Sequence, residues 1–407
     1  MEVPSFSCSM PIQIQFGRHV SRRVGAIANK KGWAKALIVT DKGVSKAGLI
    51  DGIIDSLNSR NIGHEIFDEV QPNPIDTIIE KEAELLRKDG SFDFIIAVGG
   101  GSSIDTAKGI ALLATNPGTL RDYEGHTVED FYKTRINPLF PLIAVPTTSG
   151  TGSEVGYWAI ITDRERKVKM AIAVYPENPG DPYLGPTVAL VDPVLTLTLP
   201  RNQTAATGLD ALCHALETYV ARVPGGVPII GTGSLALDCI ELLAKFLPIA
   251  YSNGNNLEAR ENVMLASLMA GVAINFGGVG AIHALASKVI GTYENITHGI
   301  CCAIFAPHVM QFNSAVVPEK YSKIAAAMGE EICGLSDAEA SKNGIDAVRR
   351  LLQELEVPTN LRGFGVQEKD FPSLAKGALE TVQILTNPRK PSYDDLLQII
   401  KNAYLEK

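Results

Sequence analysis

The sequence contains no apolar run approaching the ~20 residues needed to span a bilayer, so a membrane-embedded role is not expected. It also lacks a basic stripe or polybasic tail. Its 37 Lys and Arg are interspersed with 45 Asp and Glu, for a net charge of −8. Nucleic acid and anionic membrane are therefore poor candidate partners. No CxxC pair occurs among the six cysteines, Cys8, Cys213, Cys239, Cys301, Cys302 and Cys333. That spacing argues against a thiolate zinc site or a disulfide framework and for reduced, mostly buried thiols. The opening MEVPSFSCSMPIQIQFG has no basic segment followed by an apolar one, so it does not read as a secretion signal. Repeats and low-complexity stretches are absent. These absences fit a cytoplasmic globular protein. Its 45% hydrophobic and 20% charged residues are ordinary for that class, and 407 residues exceed what one core usually organises, which points to two domains.

The first half alternates strand-like and helix-like segments. Ala36–Asp41, His64–Val70, Phe92–Val98 and Leu142–Pro146 read as strands. Gly43–Arg60, Ile75–Lys88 and Ser102–Ala114 read as helices. This alternation predicts a mostly parallel sheet with helices on both faces. Tyr157–Val174 reads as a hairpin turning at Asp163–Lys167, and Pro179–Pro186 as a Pro/Gly-rich loop. From Asn202 onward the periodicity is helical throughout. The expected division is an α/β domain over 1–197 and an all-helical domain over 198–407, with the boundary in Pro193–Pro200.

Two segments of the first half carry chemistry. In Gly99-Gly-Gly-Ser-Ser-Ile-Asp-Thr-Ala-Lys108 the glycines follow a strand and open a helix. Glycines let backbone N–H groups approach a phosphate, and the helix N-terminus supplies further donors. Ser102 and Asp105 have capping-box spacing. The alternative is a plain tight turn. Pro146-Thr-Thr-Ser-Gly-Thr-Gly-Ser-Glu-Val155 crowds five hydroxyls at a strand's C-terminal end, the edge where open α/β sheets bind ligands. The alternative there is a loop that caps its own turns.

The second half holds a possible ligand set. Asp210 and His214 stand at i and i+4 in Gly208-Leu-Asp-Ala-Leu-Cys-His-Ala-Leu-Glu217, so a helix places them on one face. His283 lies in a helical run, and His298 precedes Gly299 at the start of another. One carboxylate and three imidazoles suit Fe(II) or Zn(II) better than calcium or magnesium. Each histidine taken singly is more often a satisfied core or surface residue than a ligand.

Taken in order, GGGSSIDTAK, PTTSGTGSEV, GLDALCHALE and the THG…PHVMQFN segment resemble the iron-dependent (group III) alcohol dehydrogenases. The resemblance runs from about Ile12 to the C-terminal helices, and PTTSGTGSEV is its most specific element. It implies a dehydroquinate synthase-like fold: an α/β dinucleotide-binding domain with a mostly parallel sheet, then an all-helical metal-binding domain, with the active site in the cleft between them. It implies NAD and one divalent metal, Fe(II) or Zn(II), on Asp210, His214, His283 and His298. It implies coenzyme contacts from Asp41, Asn73, Gly99, Gly100, Gly101, Ser102, Thr147, Thr148, Thr151 and Lys169. The implied partner is a small alcohol or aldehyde, and the implied assembly a homodimer or larger homo-oligomer. Asp41 can also be argued physically. A carboxylate ending the first strand can bind the adenosine ribose and repel the extra phosphate of NADP. Its alternative is an Asp that starts the turn at Asp41–Gly43.

One departure from the family pattern stands out. Ser287 occupies the position, one helical turn after His283, where many members carry a further histidine. A serine passes a hydrogen bond along but does not titrate near neutrality. Ser287 is thus a substrate-pocket or proton-relay position. The segment Tyr175–Tyr183 also looks longer than usual. The expected reaction is hydride transfer between NAD(H) and a small primary alcohol, diol or functionalised aldehyde. The alternatives are a lyase of the dehydroquinate synthase type and a catalytically weakened NAD- and metal-binding relative. The lyase would need a basic pocket, yet Lys288 is the one cation near the metal-flanking segments.

Overall fold

The structure, a computed structural model, describes residues 9–125, 136–166, 168–176, 180–222, 232–293 and 295–406. Cys8, the hairpin-turn residue Lys167 and positions 177–179 of the two proline-rich loop readings lie outside these. The chain divides into two units, Ser7–Leu199 and Pro200–Lys407.

In the first unit six strands form one parallel sheet. They are β1 (Gln13–Phe16), β2 (Lys35–Val39), β3 (Gly63–Phe67), β4 (Phe94–Gly99), β5 (Leu142–Pro146) and β8 (Val188–Val191), in the order β1-β8-β5-β4-β2-β3. Alternation along the strands sorts side chains to two cores. Leu37, Val39, Ile95, Ala97, Leu142 and Ala144 pack on one face with Ile79 and Ala83 of α4 (Asp76–Asp89) and Ile104 and Ala107 of α5 (Gly101–Thr115). Ala36, Ile38, Phe94, Ile96, Ile143 and Val145 pack on the other with Val24 and Ala28 of α1 (Val24–Lys31) and Ile53 and Leu57 of α3 (Asp51–Asn58). Because both faces are covered, the central strands read as continuous apolar runs. A separate antiparallel pair, β6 (Trp158–Asp163) and β7 (Val168–Ala173), forms the hairpin.

The sequence reading differs from this in three places. The helix expected over Gly43–Arg60 is two pieces, α2 (Lys42–Lys46) and α3, parted at Gly48, whose φ of +70° ends a helix. Strands β1 and β8 were not expected. Both have four residues, too few for a periodicity signal, and they pair with each other. The Ser102/Asp105 capping box does not form. Gly100 is the N-cap of α5, and Asp105 turns inward to accept from Ser153 Oγ and the Ile160 N–H.

Among the described residues the second unit contains helices and no strand. Those that matter here are α6 (Arg201–Val220), α7 (Thr232–Ser252), α8 (Leu257–Gly277), α9 (Ala281–Thr292), α10 (His298–Ser314) and, later in the chain, α11 (Pro318–Ala327), α12 (Asp337–Glu354), α13 (Phe371–Leu379) and α14 (Tyr393–Leu405). Helix α6 packs against α7, α8 and α10, and α9 against α10 and α13. Two glycines permit the closest approaches. A Cβ at Gly208 would lie 2.4 Å from Leu247 of α7, and one at Gly299 would lie 1.9 Å from the carbonyl oxygen of Ala206. Gly299 thereby lets the first turn of α10 press against α6. No single described helix is long and apolar enough to cross a membrane.

Candidate metal centre and dinucleotide-binding edge

The two glycine- and hydroxyl-rich segments of the first unit meet at the C-terminal edge of the sheet. Strands β4 and β5 run in register until Gly99 lies opposite Pro146, and the Thr147 N–H bonds the Gly99 carbonyl at 3.0 Å. Gly99 has φ +151°, and a Cβ there would fall 2.3 Å from Ser103 Oγ. A Cβ on Gly101 would lie 2.7 Å from Thr151 Cγ2, and one on Gly100 3.4 Å from Thr148. Gly101 is therefore required by the neighbouring hydroxyl loop and Gly99 by its own φ and by Ser103 of α5, whereas Gly100 is in ordinary contact with Thr148. Thr151 also accepts the Ser153 N–H at 3.2 Å, so part of the self-capping alternative holds alongside the ligand reading.

Three other expected coenzyme residues take defined positions. Asp41 is the N-cap of α2, its Oδ1 accepting from the N–H groups of Gly43 and Val44. Its Oδ2 points toward Gly99, 3.6 Å from where a Cβ of that residue would be. One oxygen starts the turn while the other faces the glycine loop, so the two readings of Asp41 are compatible. Lys169 Nζ donates to Asn73 Oδ1 at 2.6 Å, which joins two residues 96 positions apart. Burial lowers the Lys169 pKa, and Asn73 holds a left-handed φ of +59°.

Beneath this edge lies a closed buried network. Lys108 is fully buried, and its ammonium donates to Ser153 Oγ, Gly156 O and Trp158 O at 2.7–3.0 Å. Burial pulls its pKa down to about 8. The same burial pushes Glu154 up to about 7. Lys108, read as the end of the phosphate motif, acts here as the tie that holds the 153–158 segment.

In the second unit α6, α9 and α10 bring four ligand atoms together. One atom each from Asp210, His283, His298 and Cys302 lies within 4.8 Å of all the others. Asp210 Oδ1 is 3.7 Å from His283 Nε2 and 3.6 Å from His298 Nε2. These distances exceed a hydrogen bond. They match the spread of atoms that share one ion at about 2.1 Å. Asp210 Oδ1 and His283 Nε2 are buried and have no hydrogen-bond partner, a costly state for charged or polar atoms unless an ion satisfies them. Burial alone would raise the Asp210 pKa, but His214, His298 and His283 hold it below the usual carboxylate range. The donor set fits a borderline divalent cation. His214, i+4 from Asp210, stands outside the set of four and stacks on His283 with ring centroids 4.6 Å apart. His298 is 38% exposed, whereas Asp210 and His283 are nearly inaccessible, so the cluster opens on the His298 side. Ser287 is half-buried on α9, one turn beyond His283.

Sequence reasoning missed three residues here. Cys302 is the free, buried thiol that the sequence reading expects, but its Sγ also lies 3.7 Å from His298 Nε2. Its i+4 spacing from His298 was the available signal. Burial and the negative charge of Asp210 raise its pKa well above the ordinary value. Glu217, the last letter of a quoted segment, bonds His283 Nδ1 at 2.5 Å. Its spacing of seven from Asp210 put it on the same helix face. Gly299 gave no signal, because its role depends on the approach of a distant helix.

Comparison with known proteins covers both units. A family model described as iron-containing alcohol dehydrogenase matches residues 11–193, and one for the C-terminal part of the same family matches residues 204–404. The chain is 40% identical over 388 residues to an NAD-dependent methanol dehydrogenase of Bacillus methanolicus, covering 95% of this chain and 97% of that protein. It is 34% identical to the lactaldehyde reductase of Escherichia coli K12, covering 96% and 97%. Among solved structures, an alcohol dehydrogenase from Oenococcus oeni superimposes with a TM-score of 0.90 at 34% identity, covering 98% of this chain and all of that one.

Proposed function

The chain belongs to the iron-containing alcohol dehydrogenase family of NAD- and metal-dependent oxidoreductases, and from that premise we propose which of its residues carry the reaction. Asp210, His214, His283 and His298 hold one divalent cation, with Fe(II) the best fit and Zn(II) next. The observation that carries this reading is the pair of buried atoms, Asp210 Oδ1 and His283 Nε2, that converge without a partner. His214 is included because its i+4 spacing puts it on the same face of α6 as Asp210 and its ring stacks on His283, although it stands outside the four converging atoms. Such an ion, when bound, supplies Lewis-acid polarisation of an alcohol or carbonyl oxygen. The chain's own residues bind, orient and select.

The N–H groups at the start of α5 and the hydroxyls of Thr147, Thr148 and Thr151 receive the dinucleotide over Gly99, Gly100, Gly101 and Ser102. Asn73 and Lys169 act as one bonded pair at the same coenzyme. Asp41 Oδ2 takes the adenosine ribose and disfavours a 2′-phosphate, so NAD is preferred over NADP. Nicotinamide supplies the hydride chemistry, and the protein supplies orientation and charge. Ser287 lines the pocket beside the reacting carbon. It leaves room that water or a polar substrate group fills.

The substrate class is a small primary alcohol, diol or functionalised aldehyde, in line with relatives named for methanol, 1,3-propanediol and lactaldehyde. The lyase alternative loses its support, because both units match alcohol dehydrogenase models. A cytoplasmic setting is in keeping with the free cysteines among the described residues, and a homodimer or larger homo-oligomer with the family resemblance. The test is NADH consumption by metal-loaded protein over a panel of short aldehydes, hydroxyaldehydes and acidic aldehydes. Turnover with at least one member is expected. Full metal and NADH binding with no turnover would leave the weakened binding protein as the better account.

A further inference from the structure

Glu217 is buried at the junction of α6 and α9, and each of its carboxylate oxygens accepts one hydrogen bond. Oε1 takes the Ile282 backbone N–H at 2.6 Å, and Oε2 faces His283 Nδ1 at 2.5 Å. An ionised carboxylate has no proton to give, so the Nδ1 proton must be on the ring. A ring that meets a cation as neutral imidazole then has its lone pair on Nε2. That atom is the one without a partner, 3.7 Å from Asp210 Oδ1. The arrangement is fixed from behind. Gly280 lets the start of α9 approach, since a Cβ there would lie 3.1 Å from Glu217 Oε1 and 2.8 Å from Asn387 Oδ1. Asn387 accepts the Ala281 N–H at 3.2 Å and is itself paired with Asn313.

We propose that Glu217 is a positioning residue that sets the tautomer and ring orientation of His283, so that Nε2 meets the cation as a lone pair. The inference rests on His283 being a metal ligand. It makes an unusual demand on position 217, namely two acceptors and no donor. Glutamine has the same shape but one acceptor oxygen. The Ile282 N–H cannot change its character, so the glutamine oxygen goes to it and the amide NH2 turns to Nδ1. The ring then accepts at Nδ1 and carries its proton on Nε2, facing the metal position. Alanine removes both acceptors, but it lets the ring choose its tautomer and lets water enter.

The test compares full-length wild type, Glu217→Gln, Glu217→Ala and His283→Ala. Zn(II) affinity is measured by chelator competition, thermal stability by calorimetry, and the His283 tautomer by ring ¹⁵N chemical shifts in metal-free protein at about pH 10, because, against the effect of burial, the Glu217 and Asp210 carboxylates raise the ring's pKa to about 9 and a cationic ring has no tautomer to read. The expected result is a crossed order. Glu217→Gln loses about 10–100-fold in Zn(II) affinity, more than Glu217→Ala, and shows the Nε2-protonated ring. Glu217→Ala loses more thermal stability than Glu217→Gln. Wild-type affinity in Glu217→Gln, or metal affinity that merely follows stability with alanine worse in both, would overturn the assignment. If wild type binds Zn(II) no better than His283→Ala, the metal reading fails and this inference fails with it. Wild-type binding that His283→Ala loses, together with unchanged affinity in Glu217→Gln, would overturn this inference alone.

Discussion

In the α/β unit, Lys108 is fully buried and yet its three N–H groups have three acceptors, while Asp192 accepts from the N–H groups of His19, Ser21 and Val194 and from Ser21 Oγ. In the helical unit, Asp210 Oδ1 and His283 Nε2 are as deeply buried and have no partner. The unpartnered buried atoms of the α/β unit belong to neutral groups, Gln15, Thr40 and Ser45. A closed charged network holds a loop in place, and an open one is what the proposed ion would close. The two sites also use glycine differently. Around Gly99, Gly100 and Gly101 an added Cβ would meet side chains of Ser103, Thr148 and Thr151, whereas at Gly299 it would meet the backbone of another helix.

That contrast predicts the largest effect. Gly299→Ala places a Cβ 1.9 Å from a carbonyl oxygen that cannot rotate away, so α10 must shift from α6 and carry His298 with it. We expect loss of bound metal and destabilisation of about 3 kcal/mol, read by elemental analysis and denaturant unfolding. Gly101→Ala should keep its metal and show a raised KM for NADH, because its clash is with a side chain that can turn. Equal metal content in both variants would erase the distinction between the two sites.

The closed network is probed through pH. Glu154 has its folded pKa raised by burial from 4.5 to about 7. Its contribution to stability is therefore full below pH 4.5 and falls as pH rises through about 7. Glu154→Gln should remove a slope amounting to about 3 kcal/mol at most across that window and should leave metal content unchanged. Unfolding curves at pH 5 and pH 8 that keep the wild-type difference would contradict this.

A smaller effect is expected at Asp41. Replacement by glycine removes the charge facing the proposed ribose site at a cost of a few tenths of a kcal/mol in capping. The preference for NADH over NADPH should narrow by about tenfold, the scale of one exposed charge contact. Wild type that uses both coenzymes equally would show that Oδ2 does not select. The smallest effect belongs to Ser287→His. It should introduce an inflection near pH ~6–7 in the rate profile and reduce tolerance for bulky substrates. An unchanged profile and range would place Ser287 outside the pocket.

The α/β unit was the more legible one in sequence because its site is built from contiguous runs. The Gly99–Lys108 and Pro146–Val155 segments announce themselves, and parallel register brings them together. What stayed hidden there were elements too short to show a period, β1 and β8, and a helix break set by Gly48. The helical cluster joins Asp210 to His298, 88 positions later in the chain, and depends on packing. Asp210, His214, His283 and His298 were readable as candidate residue types, and the structure brings Asp210, His283 and His298 together, but the place of Cys302 beside them, the hydrogen bonds of Glu217 to α9 and the close approach at Gly299 were not. Those three act through neighbours that are distant in the chain, and a single sequence carries no record of distance.

The most direct measurement is metal content per chain, by elemental mass spectrometry, of wild type and His283→Ala purified in parallel, with circular dichroism to verify the fold. The account predicts about one divalent ion per wild-type chain, and in the variant a loss of most of that metal together with NADH-dependent activity, with helicity retained. Unchanged metal content in a folded His283→Ala protein would contradict it.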